Sequence, residues 1–184
     1  MKNKTFLFFA AVMFLFTVDS CQHHYPVSLV EADSLVYSNP KAALQKLDSL
    51  SLCLDTTQKA DVMYLRLLKM TVKDKLYMPF GTLDSVQSLA KYYEEEGDKH
   101  LLPRAYYMLG RMFVESEDVP SALAAYRKVL AQLEQHEDIR LRGITNAQLG
   151  EMFGRQEILS LALSFYKEAF LCDSLLADEV GMLY

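Results

Sequence analysis

Tryptophan is absent from these 184 residues, cysteine occurs three times, and only 7 glycines and 5 prolines interrupt the chain. Each scarcity excludes something. Without Trp the chain lacks the usual stacking platform of sugar-capture proteins. Three cysteines do not make a disulfide scaffold. Few breakers rule out a loop-rich or low-complexity chain, and with 51% hydrophobic and 23% charged residues a sizeable core is available. No run of Lys or Arg exists to release counterions from a polyanion, and the formal net charge is −5, which excludes nucleic acid as a partner of this segment. The apolar run from Phe6 to Val18 is 13 residues long, whereas a membrane-spanning helix needs roughly 20.

That run, preceded by Lys2 and Lys4, has the build of a secretory leader and is set aside from fold reasoning. It ends at Val18-Asp19-Ser20-Cys21, which resembles a bacterial lipobox. Asp19 departs from that pattern, standing where a small neutral residue is expected. The resemblance implies a signal peptide over 1–20, lipidation at Cys21, a short tether over 21–26 and a cell-envelope location. Several acyl chains would anchor the protein stably, where one does so only marginally. Cys53 and Cys172 are expected to be buried, inert thiols, too far apart to bridge.

Internal repetition is the strongest pattern. Tyr106, Leu109, Gly110, Phe113, Ala122 and Tyr126 recur 40 residues later as Asn146, Leu149, Gly150, Phe153, Ala162 and Tyr166, with Val129 and Ala169 closing the two copies. Leu109 and Phe113 lie four apart on one face of a first helix, and Ala122 and Tyr126 four apart on a second. Small residues at Gly110 and Ala122 would let the two helices approach, with Tyr126 and Tyr166 as pegs. Such a hairpin cannot bury its apolar face alone, so copies must stack.

These offsets resemble the tetratricopeptide repeat, which residues 103–136 and 143–176 each match. The resemblance implies an all-α, right-handed solenoid of antiparallel helix hairpins over 27–184. The N-terminal half follows the same rhythm. A helix is expected over 27–38, then Asn39-Pro40 as cap and first turn of another to about Leu50. Asp55-x-x-Gln58 has capping-box spacing for a third helix over about 57–76, and a fourth spans 83–96, ended by Gly97 in the left-handed region. Asp118 is expected to cap the second helix of its copy. That makes four hairpins, with Asp178–Tyr184 reading as the opening of a fifth. The leader motif, Ala32-Asp33-Ser34-Leu35, Asn39-Pro40 and Leu47-Asp48-Ser49-Leu50, taken with the repeats, resemble tetratricopeptide lipoproteins of Bacteroidetes. In that group further repeats precede a membrane helix and sometimes a regulatory output domain.

No catalytic constellation is found. His23, His24, His100 and His136 have no metal-ligand spacing, and no phosphate loop or nucleophile elbow occurs. No cofactor or metal is expected, and the chain reads as a non-enzyme. Glu94-Glu95-Glu96 reads as a solvated face, and the Asp-Ser pairs, Asp33 among them, as helix-end and surface features. Carried over from the repeat family, the inner groove for a protein or peptide partner falls on Arg104, Tyr107, Arg111, Val114 and Glu115. In the next copy it falls on Ile144, Ala147, Glu151, Gly154 and Arg155. Tyr107 is expected to face outward. The arginines could clamp carboxylates of an acidic peptide, or Arg111 could simply pair with Glu151. The resemblance thus implies a lipid-anchored, non-enzymatic interaction module, the sensory part of a larger regulator. The alternatives are an outer-membrane assembly scaffold and, disfavoured by the lack of Trp, a nutrient-binding lipoprotein.

Overall fold

The computed structural model describes the backbone of residues 23–181 and the side chains of 23–177. Cys21, the leader and the last three residues lie outside the described residues. The described chain is all-α. Eight helices follow in order: α1 (Val27–Ser38), α2 (Pro40–Cys53), α3 (Lys59–Lys75), α4 (Leu83–Glu95), α5 (Leu102–Glu115), α6 (Val119–Leu133), α7 (Ile139–Arg155) and α8 (Leu159–Gly181). Helices adjacent in sequence pack together, most extensively α5 with α6 and α7 with α8, whereas α4 lies mainly against α5 and only lightly against α3. The hairpin-repeat fold expected from the 40-residue offset is therefore present.

Helix starts are set by side chains that accept from amides left without intrahelical partners. Asn39 accepts from the Ala42 amide, Asp118 from Ser121 and Asp138 from Leu141. Asp55 does not open a capping box. It accepts from the amide and hydroxyl of Thr57, an Asx turn, and α3 begins without a side-chain cap at Gln58. The reciprocal box belongs to α4, between Thr82 and Ser85.

The odd-numbered helices α3, α5 and α7 end alike. The amides of Met78, Asp118 and Ile158 reach back to the carbonyls of Lys73, Phe113 and Phe153 at 2.9–3.0 Å. The residue before each is left-handed: Tyr77, Glu117 and Glu157, with φ of 55°, 58° and 59°. This is the turn that usually takes glycine, because a Cβ costs roughly 1–2 kcal/mol there. Gly97 is not left-handed. It follows α4 because a Cβ would stand 2.6 Å from the Tyr93 ring.

The core runs through the stack in two clusters joined at α3. Tyr64, Leu65, Leu68 and Val72 face α1 and α2, whereas Met63, Leu67 and Met70 face the later hairpins. The peg expected at Tyr126 is fully buried. Its seat is Gly110, where a Cβ would lie 2.4 Å from the ring. Gly150 is likewise seated on Tyr166, and a Cβ at Gly154 would stand 3.9 Å from that of Ala162. Cys172 is buried but Cys53 is exposed, at the frayed end of α2. No fifth hairpin opens at Asp178, because α8 continues unbroken to Gly181.

Candidate functional site

The side chains expected to form a ligand groove lie where α1, α3, α5 and α7 converge, and most serve the fold itself. Arg104 on α5 donates both terminal nitrogens to Asp33 on α1, each at 2.7 Å, and the Tyr64 hydroxyl on α3 donates to the same carboxylate at 2.6 Å. The side chain of Arg104 is 12% exposed. Burial alone would raise the Asp33 carboxyl, but bonding and charge from Arg104, with the Tyr64 hydroxyl, hold it below the usual carboxylate range. Burial opposes charge on Arg104 too, yet Asp33 outweighs it and keeps the guanidinium charged.

Arg111 repeats the device one hairpin along. Its Nε donates to Asp74 at 2.8 Å, and a terminal nitrogen donates to Gln148 on α7 at 2.9 Å. Arg111 does not pair with Glu151, which bonds Arg155 within its own helix. Tyr107 does not face outward. It is 5% exposed and packs on Tyr126, because α6 covers that side of α5. Val114, Ile144, Ala147 and Gly154 are half-buried, and Glu115, Glu151 and Arg155 are exposed. The structure thus brings Arg104 and Arg111 to one face but hands both to the chain's own acids.

Beside them lies a cleft of about 650 Å³ between α1 and the start of α7, lined by Asp33, Ser34, Tyr37, Arg104 and Arg140. Of its cations, Arg104 is held by Asp33, whereas Arg140 lies over the Tyr37 ring at 5.1 Å, with Lys75 over the same ring at 5.0 Å. A carboxylate ligand would have to displace Asp33 to reach Arg104.

A second cleft, of about 580 Å³, gathers His23, Tyr25, Tyr92, Asp98, His100 and His136. The residues just before α1 are no free tether. His23 bonds the buried Asp61 at 2.6 Å, and Tyr25 packs on Tyr64 with ring centroids 4.3 Å apart. His100 and His136, 36 positions apart in sequence, meet at 4.3 Å between centroids because both lie in turns joining successive hairpins. Among the described residues no group of three His, Cys, Asp or Glu side chains is placed to hold a metal ion.

The third feature is apolar. Leu159, Leu163, Tyr166, Phe170, Leu171 and Leu175 are all exposed along α8, Phe170 by 71%. Leu163, Tyr166, Phe170 and Leu171, with Lys167 at the edge, frame a shallow groove of about 400 Å³. Such a face is normal inside a protein and exceptional on its surface. No described helix is long and apolar enough to cross a membrane.

The importance of Asp33 and the α8 face escaped the residue pattern in different degrees. Asp33 stands four residues after Leu29 and three before Val36, both buried, so its place at the border of the α1 core stripe was readable. The partner 71 positions away was not. The α8 stripe was readable as core, but nothing local tells that no described helix covers it. Comparison with protein families, curated proteins and solved structures finds no match to this chain.

Proposed function

We propose that this chain is a non-enzymatic protein-interaction module, held at the cell envelope through lipid on Cys21, whose docking surface is the open face of α8. The uncovered stripe on α8 carries this reading. Six large apolar side chains facing solvent are unfavourable in isolation and become favourable when a partner covers them. The ion-paired inner face is the weaker alternative, since a ligand there must break Arg104 from Asp33 or Arg111 from Asp74. Membership of a tetratricopeptide lipoprotein group fits the repeat offsets and the Val18–Cys21 motif, and the anchor would keep the α8 face at the envelope.

Two measurements test it. Cys21→Ser in the full-length chain should release the protein from the membrane fraction, and retention there would refute the anchor. A photo-crosslinking amino acid in place of Phe170 in cells should give a discrete adduct absent when it replaces Gln45, which is exposed on α2. No adduct at Phe170 would refute the docking surface.

A further inference from the structure

We propose that the cleft between α1 and the start of α7 binds a small organic acid, its carboxylate taken by Arg140 in the field of Lys75 and its apolar part resting against Tyr37 and Val30. The α8 face plays no part in this, and Arg104 and Arg111 stay with their own acids. The cleft holds about 650 Å³, within the range of small-molecule sites. Its carboxylates are already engaged. Asp33 accepts from both terminal nitrogens of Arg104 and from the Tyr64 hydroxyl, and Asp138 accepts from the Leu141 amide at the start of α7. Arg140, by contrast, has neither an ion pair nor a guanidinium hydrogen bond among the described residues. Lying over the Tyr37 ring, it leaves a planar fork of N–H donors open at the cleft wall.

Lys75 deepens the imbalance. From the end of α3 its ammonium lies over the same ring, and among the described residues it too pairs with no carboxylate. Burial, with the charges of Arg140 and Arg111, holds it below the usual lysine range, and Asp74, which acts the other way, is bonded to Arg111. Two neighbouring cations thus share one aromatic ring and no counter-ion. The chain as a whole has 24 acidic side chains against 19 basic ones, so this local excess of positive charge runs against its surroundings. An anion entering the cleft relieves the repulsion and is drawn in by it. The rest of the wall selects what that anion is attached to. Val30 is 51% exposed and Tyr37 half-buried, so an apolar group beside the carboxylate gains contact that a bare ion does not. Ser34 and Ser38 donate their hydroxyls to carbonyls within α1, which leaves the polar contact to Arg140.

The test titrates phenylacetate into the full chain, solubilised in mild detergent, by calorimetry. Wild type should bind it saturably, and should bind phenylacetamide, the same shape without the charge, roughly 10-fold or more weakly. Arg140→Ala should weaken phenylacetate by roughly 10-fold or more while circular dichroism stays unchanged, and Lys75→Gln by a smaller factor. Arg155→Ala, which removes an exposed arginine at the other end of α7, should leave binding as it is. Saturating phenylacetate should also slow acetylation of Lys75 by acetic anhydride, read by mass spectrometry, because a nearby anion keeps the amine protonated. No saturable binding up to about 10 mM, equal binding of the amide, or wild-type affinity in Arg140→Ala overturns the proposal. So does acetyl-glycyl-phenylalanine binding more than about 10-fold tighter than phenylacetate, because the cleft would then be a clamp for protein termini.

Discussion

The hairpins α5–α6 and α7–α8 carry nearly the same residues 40 positions apart and differ in what lies beyond them. Tyr126 is fully buried and Tyr166 is 46% exposed. Both rings sit on a glycine of the preceding helix, but a Cβ would come within 2.4 Å at Gly110 and 2.9 Å at Gly150. On the inner side, Arg104 and Arg111 tie α5 to three other helices. Their counterparts Ile144 and Glu151 make no such ties, and Glu151 pairs only within α7. One repeat pattern thus yields, among the described residues, a covered layer and an exposed one. Burial at a given position is a property of its place in the stack, and only secondarily of the residue.

That contrast can be broken or sharpened by paired substitutions read by thermal or urea unfolding. Tyr126→Ala should cost about 3–5 kcal/mol, as for a large buried ring, and Tyr166→Ala about 1–2 kcal/mol. Equal losses would mean that the α8 face is covered in solution. Arg104→Ala should also cost about 3–5 kcal/mol, because it strands Asp33 without its buried partner, whereas Glu151→Ala should stay within about 0.5 kcal/mol. The pair has a pH signature. The folded Asp33 carboxyl titrates below its unfolded value, so its contribution is present above about pH 4 and disappears as the pH falls further. Urea midpoints measured from pH 6 to 2.5 should show an acid-side loss of stability that Arg104→Ala alters. An unchanged slope would remove Asp33 from that role.

Gly110→Ala forces a methyl into the enclosed Tyr126 ring and should cost about 1–3 kcal/mol. Gly150→Ala should cost less than about 1 kcal/mol, since the half-exposed Tyr166 can swing aside. The smallest effect should be the same in both hairpins. Glu117→Gly and Glu157→Gly relieve a left-handed Cβ and should each stabilise by about 0.5–1 kcal/mol, covered or not. A difference between them would show that the turns sense the stacking layer.

Much of the fold was legible because it is local. The four-residue spacing of Leu109 and Phe113 and the caps at Asn39 and Asp118 act within a turn or two of chain, and the helices they mark followed. The errors have the same origin. Asp55 and Gln58 have capping-box spacing, but the backbone there chose the Asx turn. Tyr107 lay outside the repeat's core positions, but α6 covers it. The candidate groove was the least legible part, because whether an arginine is free depends on what stands opposite it.

By itself, then, the order of residues determined that helices form and that two helix pairs carry one pattern 40 residues apart, since periodicity and capping are short-range. Only the tertiary structure decided that Arg104 belongs to Asp33, that His23 is pinned to Asp61, and that one apolar stripe of two is left open. Those outcomes depend on segments 38 to 71 positions apart meeting in space, and no local preference encodes such a meeting.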